Sequence, residues 1–249
     1  MTQDGRQTTY DANAEFWIEI IQNHHDKYRE ELTNPAVLNA IGAAKGLTVL
    51  DAGCGEGYLS RKLAGEGAIV AGVDSSAELI KAARNHDLDS ELATSFDVGT
   101  VDSLPYDADS FDLVLCNHLL NDLQDPGQAL KEFARVLRDQ GRVVILMLHP
   151  CFYNNHAERA EPENNLPTSS YFQNRRIVQN FEVDGLQSPV ANTSWLRPLE
   201  SYAEALRESG FVITSLTEPH PSQQMIQEDE WWRTAFSRPL FMLLVAELR

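Results

Sequence analysis

One stretch constrains this chain more than any other: Val49-Leu50-Asp51-Ala52-Gly53-Cys54-Gly55-Glu56-Gly57. Leu47, Thr48, Val49 and Leu50 are apolar or β-branched and run into Asp51, the pattern of a buried strand ending in an acid. Glycines follow at alternate positions, and Tyr58-Leu59-Ser60-Arg61-Lys62-Leu63 opens an amphipathic helix. Glycine is required where a chain turns sharply or lets a ligand lie against the backbone itself. Strand, glycine turn and helix start together make a site for part of a nucleotide at the end of a parallel sheet.

Two nucleotide-type cofactors compete for such a turn. The dinucleotide fingerprint G-x-G-x-x-G needs a small residue at position 58, which is Tyr58 here. A carboxylate at Asp51 would also crowd and repel a pyrophosphate. It suits a cofactor carrying an ammonium group, as the methionine part of S-adenosylmethionine (SAM) does. With its E/D-x-G-x-G-x-G spacing the segment resembles the first motif of the class I SAM-dependent methyltransferases. The resemblance implies an α/β, Rossmann-like sheet of seven strands, mostly parallel with an antiparallel last strand, and helices on both faces. It also implies SAM as cofactor, with Asp51, Gly53, Gly55 and Gly57 holding the methionine portion.

The second strand, Ala68-Ile69-Val70-Ala71-Gly72-Val73, ends at Asp74. That acid follows the glycine turn by about 20 residues, the usual distance for a carboxylate that accepts ribose hydroxyls. Ser75-x-x-Glu78 reads as a capping box, and Ser75 joins Asp74 among the cofactor-binding positions. Val98-Gly99-Thr100-Val101-Asp102-Ser103-Leu104-Pro105-Tyr106 is similar to the family's D-x-x-x-L-P-F segment, where the acid accepts the adenine amino group. Thr100 replaces that acid, so Thr100, Val101 and Asp102 share the adenine assignment.

Ser110–Cys116 reads as the fourth strand, whose end faces the methionine part in the resembled fold, making Cys116 and Asn117 cofactor candidates. Asn121 and Asp122 occupy the two histidine positions of the family's "LHHLPDP"-like turn; His118 is displaced by three residues. Asp125-Pro126 starts a helix with Ala129, Leu130, Phe133, Ala134 and Leu137 on one face, ended by Gly141. The fifth strand, Arg142–Leu148, delivers His149 to the same edge as Gly53 and Asp74, where an imidazole can act as base or substrate ligand.

Before the first strand, Ala14, Trp17, Ile18, Ile21 and Tyr28 fall at helical spacing, and Asn34-Pro35 reads as N-cap and first residue of another helix stopped by Gly42. Residues 1–45 thus form a helical cap, in which Tyr10 matches the family's N-terminal tyrosine near the methyl group. Residues 151–197 lack clear periodicity and hold Glu158, Glu161, Glu163, Asn164 and Asn165. Tyr171-Phe172 and Phe181-Glu182-Val183 read there as a short hairpin or cap. A long insertion after the fifth strand is more often functional than a plain connection, and in the resembled family it closes over the acceptor. Leu199, Tyr202, Ala203 and Leu206 mark a helix, and Phe211–Leu216 a sixth strand. A loop carrying Trp231-Trp232 follows, then a last strand over Leu240–Leu248. The whole, 1–249, reads as one domain.

The net charge of −17, with no Lys/Arg cluster, disfavours nucleic acid. The longest apolar run, Leu240 to Ala246, is too short to cross a bilayer, and the first residues lack a signal-sequence pattern. Three cysteines without a C-x-x-C pair suit reduced thiols in a cytoplasmic protein. The acids and histidines show no compact spacing for a metal.

The expected activity is methyl transfer to a small molecule, with Tyr10, Asn117 and His149 as catalytic candidates. No strong base stands in the usual histidine turn, so the nitrogen of a small amine of specialised metabolism, aromatic or not, is the favoured acceptor. Asp122 or the acidic insertion would hold an ammonium, while Tyr10, Trp17, Tyr171, Phe172, Trp195 or Trp231-Trp232 would wall an aromatic ring. O-methylation of a small hydroxylated or carboxylated metabolite with His149 as base is the alternative, with C-methylation or a protein substrate behind it. A non-catalytic SAM-binding module and an NAD-linked oxidoreductase are the readings from other classes.

Overall fold

A computed structural model describes residues 8–88, 90–153 and 171–249. In chain order, the strands of its main sheet begin with β1 (Thr48–Ala52), β2 (Ile69–Asp74), β3 (Thr94–Val98), β4 (Phe111–Asn117) and β5 (Leu137–Leu148). The insertion adds β6 (Arg175–Gln179), β7 (Glu182–Val183), β8 (Leu186–Gln187) and β9 (Asn192–Leu196), and β10 (Phe211–Thr217) and β11 (Phe241–Leu248) close the set. The helices are α1 (Thr9–Ala12), α2 (Ala14–Gln22), α3 (Asn34–Ile41), α4 (Tyr58–Gly65), α5 (Ala77–Asp87), α6 (Pro126–Val136), α7 (Leu199–Glu208), α8 (Gln223–Glu228) and α9 (Trp231–Ala235).

The main sheet has seven strands in the order β10-β11-β5-β4-β1-β2-β3. β1 to β5 run parallel, while β11 is antiparallel to both of its neighbours, β5 and β10. Alternation along each strand builds two cores. Leu50, Val114 and Ile145 face α6 and α7, against Phe133 and Tyr202. Val49, Leu113 and Val144 face the other way, onto α3, α4 and Trp232. The strand order reverses at β1, between β4 and β2, so the crevice beyond the C-terminal ends of these strands is where a ligand binds in such a sheet.

The termini of several elements differ from the expectation. Asn34 caps nothing: a π-helical turn, Arg29–Thr33, runs directly into α3, and Asn34 is its first residue. The cap of α5 is Ser76, whose Oγ accepts from Leu79 N, and not Ser75. α6 stops at Val136, and Leu137 already pairs with Phe111 before an irregularity brings Arg142 opposite Leu113. Trp231-Trp232 lies in α9 instead of a loop, with Trp232 buried.

In the insertion, β6 pairs antiparallel with β9, and β7 with β8 through a tight turn at Asp184-Gly185, both at positive φ. Phe181-Glu182-Val183 therefore enters a hairpin, whereas Tyr171-Phe172 lies outside the strands. The expectations for Glu158, Glu161, Glu163, Asn164 and Asn165 fall outside the described residues. Asn13 ties the N-terminal cap to the insertion: its Nδ2 donates to Val190 O (3.0 Å) and Asn192 Oδ1 (3.1 Å), and its Oδ1 accepts from Val190 N (3.0 Å). Among the described residues no helix is long and apolar enough to cross a membrane.

Candidate active site

The turn after β1 works through the different duties of its glycines. Gly53, Gly55 and Gly57 all have positive φ, where a side chain is strained. A Cβ on Gly57 would meet the Phe96 ring at 2.6 Å, so this glycine lets α4 start against β3. A Cβ on Gly55 would meet nothing within 4 Å, because that position opens onto a cavity. Gly55 N donates to Asp74 Oδ2 (3.0 Å) and Ser76 N to Asp74 Oδ1 (2.8 Å), which joins the two strand-end loops through one carboxylate.

The cavity measures about 1060 Å³, at the top of the range of roughly 300–1,000 Å³ for small-molecule sites. Asp51, Gly53, Gly55, Asp74, Ser75, Thr100, Val101, Asp102, Asn117 and Tyr10 all line it. Three other expected residues do not. Gly57 is turned onto Phe96. Cys116 is wholly buried in the core beside α6, and burial pushes its thiol up to about 12. His149 lies outside the lining with both ring nitrogens engaged: Nε2 pairs with Glu218 Oε1 (2.8 Å) and Nδ1 accepts from Cys151 N (3.1 Å). Burial lowers its pKa against the opposing pull of Glu218.

Asp51 is almost fully buried and accepts from Ser60 Oγ at 2.6 Å. Burial, with a smaller contribution from Asp74, raises its pKa to about 6 despite the Ser60 hydrogen bond. A buried carboxylate in this state gains from any cation brought beside it. Asn117 has a buried Oδ1 without a hydrogen-bond partner, while its Nδ2 donates to Tyr58 Oη (3.3 Å).

Three residues not assigned to the site from sequence complete it. Arg29, in the π-helical turn, stacks its guanidinium near Trp17 (6.0 Å) and Tyr58 (5.3 Å) and donates from Nη1 to Tyr58 Oη (3.2 Å). Its buried Nε makes no hydrogen bond, although Asp26 Oδ2 lies 3.5 Å away. Burial opposes its charge, but Tyr58 and Asp26 raise its pKa, so Arg29 stays cationic. Tyr58, the residue that breaks the dinucleotide fingerprint, also donates to Asn34 Oδ1 (2.9 Å). His118, at positive φ and edge-on to Phe241, lines the cavity as a neutral imidazole, its pKa lowered to about 3 by burial and by Arg29. The π-turn that places Arg29 has no plain sequence signature, although such turns recur at functional sites.

Asp122 faces the same cavity from the turn after β4. Tyr10 Oη donates to its Oδ2, and Ser194 Oγ to its Oδ1 at 3.0 Å. Burial raises the Asp122 pKa to about 7, with Tyr10 and Ser194 opposing and Asp74 adding to the rise. Tyr10 stays a neutral donor, because burial and the Asp122 charge push its pKa well above the phenolic value. Trp17, Phe181, Trp195 and Trp231 add apolar wall to the cavity. Trp232 belongs to the core, Phe172 is exposed, and Tyr171 Oη accepts from Leu199 N away from the cavity.

The donor set fits SAM. Asp51 offers a buried anion for the ammonium, Arg29 a cation with spare donors for the carboxylate, and Asp74 acceptors for ribose hydroxyls. Gly55 leaves the space that a side chain would fill.

Residues 50–145 match the family model described as "Methyltransferase domain". The ubiquinone biosynthesis O-methyltransferases of Coxiella burnetii and Xanthomonas oryzae pv. oryzae are 39% and 36% identical over 124 and 120 residues. Those alignments take in 49% and 47% of this chain and 53% and 50% of the relatives, so the chain spans about half the length of the curated relatives it matches. A solved SAM-dependent methyltransferase from Mesorhizobium loti superposes with a TM-score of 0.66 at 22% identity, covering 86% of this chain and 96% of that one. Over residues 50–145 the chain thus matches the methyltransferase-domain family, and its fold is that of the solved SAM-dependent methyltransferase.

Proposed function

We propose that the protein transfers the methyl group of SAM to a hydroxyl oxygen of a small, planar acceptor. The observation that carries the reading is one continuous cavity with two chemistries. Its lining combines the acids and glycine turn suited to SAM with aromatic side chains and the Tyr10–Asp122–Ser194 cluster. Oxygen is preferred over the expected amine nitrogen because the curated relatives are named as O-methyltransferases.

In this reading Asp51 and Arg29 hold the charged ends of the methionine moiety, Asp74 and Ser75 the ribose, and Thr100, Val101 and Asp102 the adenine. Bound SAM supplies a methyl group already made electrophilic by the sulfonium. The protein's task is then to align an acceptor oxygen with that carbon, and such orientation supplies a large part of the barrier reduction. The described part of the N-terminal cap and the strands β6–β9 would cover the acceptor and exclude water. Asn13 and the pairing of His25 Nδ1 with Asp184 Oδ2 (2.7 Å) join those two covers.

The test is to incubate the protein with SAM and matched pairs of acceptors, catechol against ortho-phenylenediamine and phenol against aniline. S-adenosylhomocysteine (SAH) and the methylated product are followed by mass spectrometry. O-methylated products are expected. Methylation of the amines alone would replace oxygen by nitrogen, and SAM binding with no SAH from any pair would favour the non-catalytic module.

A further inference from the structure

Transfer to a hydroxyl leaves a proton to be removed, and the cavity limits which group can take it. Tyr10 already directs its own proton at Asp122. His118 is buried beside a cationic arginine and is too weak a base. His149 lies outside the cavity lining with both nitrogens bonded. Among the acids of the lining, Asp51 and Asp74 lie at the ends of β1 and β2, Glu56 is paired with Arg61, Asp26 with Arg29, Asp184 with His25, and Glu182, exposed on β7, accepts from Gln187 Nε2 at 3.3 Å. Asp102 and Asp125 stand at the segments assigned to adenine and to the start of α6.

Asp122 differs from all of these. It sits where three parts of the chain meet: α1 through Tyr10, the turn after β4, and β9 through Ser194. Both hydroxyls donate to it, one to each oxygen, so the carboxylate is fixed in position by donors that do not neutralise it. Each carboxylate oxygen has two lone pairs, so acceptor sites remain on the cavity side. The charged and titratable groups around it are Tyr10 on α1, Asp74 at the end of β2 and Cys116 beneath it on β4; Arg29 acts on its partner Tyr10.

We propose that Asp122 is a catalytic residue, the general base that takes the acceptor's hydroxyl proton while the acceptor oxygen bonds to the methyl carbon. Tyr10 and Ser194 are its positioning residues. The oxygen lone pair forms the new C–O bond, the methyl–sulfur bond breaks with its electrons left on sulfur, and the hydroxyl proton passes to Asp122 Oδ. The products are the methyl ether, neutral SAH and protonated Asp122, which returns its proton to solvent when the cavity opens. This step rests on the oxygen reading above. The burial that raises the Asp122 pKa towards neutrality suits the task, since a base works best when its pKa lies near the working pH.

The experiment compares wild type, Asp122→Asn and Ser194→Ala with catechol and 4-nitrocatechol as probes, the latter ionising far more readily. Turnover is measured against pH, and SAH binding by calorimetry. With catechol, Asp122→Asn is expected to lower kcat by about 10²–10⁴-fold and to abolish the acid limb of the wild-type profile, whose midpoint lies at or below about 7. SAH affinity is expected to stay within about twofold, and 4-nitrocatechol to recover most of the lost rate because its proton is already gone at pH 8. Ser194→Ala removes one donor to the carboxylate and is expected to move the acid limb to higher pH, a shift that mere damage to the fold would not produce. An Asp122→Asn enzyme that keeps both the catechol rate and the acid limb overturns the assignment while leaving the oxygen reading intact. A wild type that turns over neither probe but methylates aniline overturns the oxygen reading itself, and the hydroxyl-proton step with it.

Discussion

Asp51→Asn is expected to make the free protein more stable and to abolish its cofactor binding. Burial raises the Asp51 pKa from the ordinary 3.8 to about 6. Each pKa unit corresponds to about 1.4 kcal/mol, so keeping this carboxylate ionised in the fold costs about 3 kcal/mol. The folded protein binds the proton more tightly than the unfolded chain does. Below about pH 4 the carboxyl is neutral in both states and the penalty is absent; stability is lost as pH rises through about 6, and the full penalty stands above it. Asparagine keeps the volume and an oxygen to accept from Ser60 Oγ but carries no charge. At pH 8 the variant should gain about 1–3 kcal/mol, the lower figure allowing for a weaker hydrogen bond. For a chain of this length that is several degrees in Tm, at about 2–4 °C per kcal/mol. Calorimetric unfolding at pH 8 and pH 4 checks this, with and without SAM. Wild type should rise in Tm when SAM is added and the variant should not, because the ammonium has lost its buried counter-charge. A variant that is less stable than wild type by the same amount at both pH values would refute the reasoning.

Other substitutions separate packing from binding. Gly57→Ala drives a Cβ into Phe96 at positive φ and should cost about 2 kcal/mol or more in thermal unfolding, whereas Gly55→Ala, which meets nothing within 4 Å, should cost about 1 kcal/mol and chiefly weaken SAH binding. His149→Gln should leave turnover within about twofold, with its effect confined to stability, since the imidazole is paired with Glu218 away from the cavity. Arg29→Gln should weaken SAM binding about tenfold or more by removing a charged partner from the methionine carboxylate, measured by calorimetry.

The parts of the molecule legible in the sequence are those with strong local signals. The β1 turn, the acid ending β2, the β4 run and the Asp125-Pro126 start of α6 each carry their determinants within a few residues. The N-terminal stripe shows where periodicity stops informing. Ala14, Trp17, Ile18 and Ile21 do fall in α2, which ends at Gln22 before Tyr28, but its buried set is Ala14, Phe16 and Ile20, while Trp17, Ile21 and Tyr28 line the cavity. An apolar cavity wall and an apolar core have the same pattern in one dimension. Cys116 and His149 mark a second limit: each lies near the expected edge, yet the side chain of one packs into the core and that of the other pairs with Glu218. Arg29 and the Tyr10–Asp122–Ser194 cluster mark a third, because these groups come from separate elements and only the folded chain brings them together.

The central claim, that the crevice beyond β1 and β2 is a SAM site, is tested most directly by calorimetric titration of SAH into wild type and Asp74→Asn. Wild type should bind SAH and not NAD. The variant should bind SAH about tenfold or more weakly, having lost the anionic acceptor for the ribose hydroxyls. Equal affinity in the two proteins, or tight binding of NAD in place of SAH, would contradict the account.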